Sequence, residues 1–110
     1  MLAGKDKETN EFLVEQAEDE NIVLHTEEKG SPFAEIKGKA NKKDIYEAGV
    51  FVAKFSQDWK KNKKDVVMHY FKARDIYKQA GMPAGTFGVK KAKSVKIKSK
   101  DIQKFEQEIR

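Results

Sequence analysis

The sequence predicts an α+β fold: an antiparallel-rich sheet packed by one long central helix, with shorter helices at the termini. Three observations predict it. Residues 21–26, 33–37 and 65–71 are short apolar or alternating runs of strand character. Between residues 45 and 59 the apolar positions recur at helical spacing. The two ends of the chain carry shorter stretches of the same spacing, and strands and helices do not alternate as a parallel βαβ sheet requires. At 110 residues, one domain is expected over 1–110.

Each element has its own warrant. Leu2-Ala3-Gly4-Lys5 is short and suits an edge strand. From about Lys7 to Ala17 an acidic stretch places Phe12, Leu13 and Gln16-Ala17 at helical spacing. Asn21-Ile22-Val23-Leu24-His25-Thr26 is apolar and β-branched, hence a strand. Glu27 to Pro32 turns the chain, and Phe33-Ala34-Glu35-Ile36-Lys37 alternates as the second strand of a hairpin does. Asn41 is the expected N-cap of the central helix, whose stripe is Ile45, Ala48, Gly49, Val52, Phe55, Ser56 and Trp59. Lys60-Lys61 closes that helix where cations complement its dipole. Asp65 to Phe71 is apolar at positions of both parities and is expected to be an inner strand. Lys72 to Tyr77 continues as strand or turn. Residues 81–88, with three glycines and a proline, form a loop. Val89 to Lys98 offers one or two short lysine-rich strands, and Ile102, Phe105 and Ile109 mark a C-terminal helix.

Charge is divided by position. Residues 1–58 hold 8 Lys/Arg against 13 Asp/Glu, a net of −5, while residues 59–110 hold 15 against 5, a net of +10. The excess is concentrated in Lys60, Lys61, Lys63 and Lys64, then Lys72, Arg74 and Lys78, then Lys90, Lys91 and Lys93 with Lys96, Lys98 and Lys100 beyond. An isolated cluster at a helix end is ordinarily a solvated cap. Recurrence in one half points instead to a polyanion, because lysines that neutralise phosphates release condensed counterions. The expected partner is nucleic acid. Backbone N–H groups of the glycine loop before Lys90 are candidates to share a phosphate with it, although turn glycines also serve backbone conformation alone.

Several chemistries are excluded or disfavoured. Zero cysteines remove disulfides, thiolate zinc sites and cysteine nucleophiles, and fit a cytoplasmic, reducing environment. No apolar run reaches the roughly 18 residues that cross a bilayer, and no signal-peptide pattern opens the chain. There is no P-loop, nucleophile elbow, dinucleotide fingerprint or paired-carboxylate motif, so neither a catalytic constellation nor a cofactor is expected. Two histidines, His25 and His69, could in principle form an acid–base pair for RNA cleavage, but nothing in their spacing shows that they meet. His25 is read either as a structural strand histidine or as a contact to a base edge or phosphate, with Ser31 as a hydroxyl partner. Trp59, Phe55 and Val52 are expected in the core. Phe87, in the glycine loop, is the aromatic residue assigned to base stacking.

The order of motifs resembles the RNA-binding R domain of the NFACT proteins, over roughly residues 2 to 98. The resemblance runs through Gly4-Lys5, Thr9-Asn10-Glu11, Asn21-Ile22-Val23-Leu24-His25 with Gly30-Ser31, Glu47-Ala48-Gly49 to Ser56, Val66-Val67, and Lys78 to Gly85. Four positions depart from the family pattern: Asn21 stands for its acid, Val23 for its tryptophan, Pro32 for a frequent histidine, and Gly49 for its second alanine. The resemblance implies a non-enzymatic module that binds ribosomal RNA or tRNA in connection with the large ribosomal subunit and translation quality control. Tailing of nascent chains belongs to the multi-domain members and is not implied for these residues. Two other functions stay open at this point. One is an RNA-processing enzyme using His25. The other is an adaptor whose acidic N-terminal half binds a basic ribosomal protein.

Overall fold

A computed structural model describes residues 2–4, 13, 16–26, 28, 31–77, 80–81 and 88–108. Seven strands and three helices are formed among them: β1 (Leu2–Gly4), β2 (Ile22–Thr26), β3 (Phe33–Ile36), α1 (Lys42–Lys54), α2 (Gln57–Asn62), β4 (Val66–Lys72), β5 (Ile76–Tyr77), β6 (Gly88–Val89), β7 (Lys93–Ile97) and α3 (Ser99–Glu108). The main sheet has the order β1-β3-β2-β4-β7, antiparallel throughout, and β5 pairs with β6 in a separate ribbon. The α+β architecture is therefore as the sequence predicts. Residues 2–4 do form an edge strand, β2 and β3 do pair as a hairpin, and β4 lies inside the sheet between β2 and β7. Of the acidic helix expected over 7–17, Leu13 and Gln16 are helical, and the rest lies largely outside the described residues.

Two expectations are corrected. Phe55, expected in the core, caps the end of α1 and is 39% exposed. The central helix does not run unbroken to Lys60-Lys61; it ends at Lys54, and α2 starts after Ser56. The cause is local. The Ser56 hydroxyl accepts from the Trp59 backbone N–H at 3.1 Å and donates to the Ala53 carbonyl at 2.7 Å, so it caps a new helix at the cost of the old one. Ser31 completes the break by accepting the Gln57 N–H at 3.0 Å. The start of α1 follows expectation, because Asn41 and Asp44 form a reciprocal capping box.

Strand alternation divides the packing into two layers. Leu24, Ala34, Val66, Met68 and Ile97 point toward the helices and meet Ile45, Ala48, Val52, Trp59 and Ile102. Trp59 is 2% exposed and donates its indole N–H to Glu106 at 2.8 Å, which ties α2 to α3. Gly49 of α1 sits directly over β7: a Cβ there would come within 2.7 Å of the Ile97 δ-methyl. That contact gives a physical reason for glycine at this position of the helix. On the opposite face, Val23, Phe33 and Phe71 join Leu13 in a smaller core covered by Ala73, Ile76 and Val89.

Asn21 anchors the junction of these layers. Its amide donates to the buried Glu35 carboxylate at 3.2 Å, its side-chain oxygen accepts from the Gly38 N–H at 3.0 Å, and its carbonyl accepts from Ala73 N–H at 2.9 Å. An acid in place of Asn21 would set two buried carboxylates against each other.

Candidate nucleic-acid interface

The pleat of the sheet fixes the site. His25 of β2 is the direct register partner of His69 of β4, and His69 in turn pairs with Ser94 of β7. Both histidines share parity with Val23 and Phe71, so the row His25–His69–Ser94 crosses three strands on the face away from the helices. The Ser94 hydroxyl lies 3.2 Å from His69 Nδ1. Phe33 stacks beside His25, ring centroids 4.1 Å apart and planes inclined by 37°. The β5–β6 ribbon rises over one end of this face. Between ribbon and sheet lies a cleft of about 200 Å³ lined by His25, Phe33, His69, Phe71, Ile76, Val89 and Ala92.

Burial pushes the His25 imidazole down to about 4. A hydrogen bond to the Ser31 backbone and the Asp58 charge oppose that change, and His69 adds to it. At neutral pH His25 is therefore uncharged. A proton acceptor of such low basicity is poorly matched to general-base work near pH 7. Among the described residues, no group of three His, Cys, Asp or Glu side chains could hold a metal ion, and no helix is long and apolar enough to cross a membrane.

The residues singled out by sequence fall into separate groups. Lys60 and Lys61 occupy the last turn of α2, Lys63 is its left-handed C-cap with its ammonium 5.0 Å from the Trp59 ring centre, and Lys64 follows. All four are exposed, and Lys61 pairs with Glu28 at 3.0 Å. Lys72 and Arg74 both grip Glu20, each at 2.9 Å, and hold its carboxyl below the ordinary range, the Lys72 hydrogen bond contributing most. Part of their charge is thus spent within the protein. Ser31 is 1% exposed, and its hydroxyl is engaged by Gln57 and, at 3.4 Å, by Asp58. Its hydroxyl is thus engaged within the protein. Lys78 and Phe87 lie outside the described residues.

The lysines nearest the cleft come from the segment after β6. Lys90 and Lys91 occupy the turn between Val89 and Ala92, both of which line it, and Lys90 is held there by its N–H to the Asp75 carbonyl at 2.8 Å. Lys96 shares the face of Ser94, whereas Lys93 has the parity of Val95 and Ile97 and falls on the helical side. Among the described residues, none of Lys90, Lys91, Lys93 and Lys96 has an ion-pair partner. His69, Ser94 and Lys96 were not assigned to the site from sequence. Alternation along β4 sets His69 on one face with Val67 and Phe71, but only the strand register puts it beside His25.

Comparison with known proteins agrees with this architecture. Residues 1–91 match the family model described as NFACT protein RNA binding domain. The chain is 31% identical over 84 residues to the archaeal Rqc2 homolog aRqcH of Methanocaldococcus jannaschii; the match covers 73% of the chain but only 12% of that much longer protein. Its fold also matches the C-terminal structure of the fibronectin/fibrinogen-binding protein from Streptococcus suis, with a TM-score of 0.79 at 18% identity, covering 94% of this chain and 43% of that one. With a family match over most of its length and a sheet-and-helix frame in agreement, the chain belongs to the NFACT protein RNA-binding domain family.

Proposed function

We propose that residues 1–110 form a single non-enzymatic module that binds RNA through the sheet face opposite the helices. The observation that carries this reading is the placement of Lys90, Lys91 and Lys96. They adjoin the His25–His69 cleft in a family described by RNA binding; among the described residues none of the three is closed into an ion pair, although Lys96 lies near enough to Asp65 to lower its carboxyl. Unpaired ammonium groups beside an apolar cleft give phosphate neutralisation and base contact on one surface. Lys93 and the Lys60, Lys61, Lys63 and Lys64 group belong to the helical side and would make a second, separate contact with the RNA, Lys61 less so because Glu28 engages it, while Lys72 and Arg74 contribute less because Glu20 already engages them.

The ribosomal context comes from the likeness to an Rqc2 homolog. On that basis the RNA is ribosomal RNA or tRNA, and the setting is the large ribosomal subunit, ribosome-associated quality control and the cytoplasm. Binding of a transfer or ribosomal RNA fragment, titrated across salt concentrations, tests the first part. A log–log slope near 0.7–0.9 per phosphate contact is expected. Replacing Lys90, Lys91 and Lys96 together by Gln should lower the slope by about 2–3, whereas Lys72→Gln with Arg74→Gln should lower it by less than 1. Equal effects from the two sets would overturn the assignment. Co-sedimentation with the large subunit in a gradient, sensitive to high salt, tests the second part.

A further inference from the structure

We propose that the cleft between the sheet and the β5–β6 ribbon receives one unstacked nucleobase of a single-stranded RNA segment, its neighbouring phosphate held by Lys90, Lys91 or Lys96. This rests on the RNA-binding reading and adds to it what the face takes and where.

Size is the first argument. About 200 Å³ is below the roughly 300–1,000 Å³ of pockets for drug-sized ligands and suits a single ring system. Shape is the second. The lining offers flat or apolar surface from Phe33, Phe71, Ile76 and Val89, the kind of surface on which the face of a base packs. Polarity is the third. His25 is uncharged at neutral pH because burial lowers its basicity, and one ring nitrogen is occupied by the Ser31 backbone. In the neutral ring the other nitrogen carries a lone pair, so the floor presents a neutral polar edge rather than an ion. A duplex hides its base edges and faces from such a cleft; a loop or single strand exposes them.

Charge decides between a base and a protein side chain as occupant. An aromatic side chain from a partner would meet the same cleft, but nothing in a neutral peptide answers Lys90 and Lys91 beside it and Lys96 on the same sheet face. A nucleotide joins a planar ring to an anion and satisfies both features at once. The base enters from the open side, and no covalent step follows.

The test uses the whole chain and two probes: a single-stranded RNA of about ten nucleotides, and an abasic backbone of the same length and charge. Fluorescence anisotropy is read at several salt concentrations. The intact RNA is expected to bind about ten-fold or more tightly than the abasic backbone, with similar salt slopes. Val89→Phe, which fills the cleft, should erase that preference and leave abasic binding unchanged. Ala92→Phe, at an exposed turn position lining the same cleft, serves if Val89→Phe disturbs the ribbon. Quenching of a 2-aminopurine placed in the RNA gives a second readout on the unmodified protein. Equal affinity for the two probes would sink the base pocket while leaving RNA binding intact. A base preference that survives both cleft-filling variants would also sink it, by placing the base elsewhere. If neither probe binds, the RNA-binding reading itself fails and the pocket with it.

Discussion

His25 makes the stability of this domain depend on pH in a defined window. Its imidazole ordinarily titrates at 6.5, and burial beside Phe33 lowers it to about 4. Between those values the unfolded chain binds a proton that the folded chain refuses, so stability rises with pH. The contribution is complete above about pH 6.5 and is lost as the pH falls toward 4. A tenfold change in proton affinity is worth about 1.4 kcal/mol, and between about pH 7.5 and about pH 4.5 the two values give a loss of about 2.5 kcal/mol. For a chain of this size that lowers the melting temperature by about 10 °C or more.

The assay is urea unfolding at both pH values for the wild type and for His25→Gln, with each protein compared with itself. The comparison cancels any packing cost of the substitution. Carboxylates such as Glu20 and Asp65, both lowered by their partners, lose stabilisation in acid in either protein, so they cancel too. The wild type should lose about 2.5 kcal/mol more than the variant. Equal losses would refute the reasoning, because they would mean that His25 takes up its proton in the folded sheet as readily as in the unfolded chain.

Three further outcomes follow from the packing. Ser56→Ala removes the cap that breaks the central helix and leaves the Trp59 N–H unsatisfied in a buried site; a destabilisation of about 1–2 kcal/mol is expected from urea titration with an unchanged m-value. Gly49→Ala gains about 1 kcal/mol of helix propensity but drives its Cβ into the Ile97 δ-methyl, at a cost of about 1–3 kcal/mol. The double variant with Ile97→Val, which deletes that methyl, should be more stable than the sum of its two single changes, by calorimetry; strict additivity would show that the contact is not tight. Asn21→Asp places a second carboxylate against Glu35, and a loss of about 1–3 kcal/mol at neutral pH is expected. Acidification should relieve that loss, because one of the two groups can then take a proton, so the variant's penalty shrinks in the range where the wild type's His25 contribution is lost.

Much of this fold was legible along the chain because its signals are local. The Asn41 cap and the stripe of Ile45, Ala48, Val52 and Trp59 each depend on neighbours within a few residues, whereas the polar position of β3, Glu35, is buried against Asn21 and Phe55 of the stripe is exposed. The unbroken helix was the failure, and it too has a local cause. Ser56 reads as one more position on a helical stripe, yet its hydroxyl competes for the backbone, and Ser31, 26 positions away from Gln57, settles the competition. The basic half was equally plain in sequence, but which lysines remain free was not. Lys72 and Arg74 look like Lys90 and Lys91 until Glu20 is found between them.

The candidate site shows the same limit more sharply. Sequence alone determined that the chain is a small α+β domain with a basic second half and a histidine in each of two strands. Tertiary structure decided that those strands are neighbours, that their register sets His25 against His69, and that the short β5–β6 ribbon closes one side of a cleft above them. The physical reason is the pairing of strands distant in sequence. A slip of one residue in that pairing would change which residues oppose one another and which face they share, and alternation within a single strand carries no information about its partner.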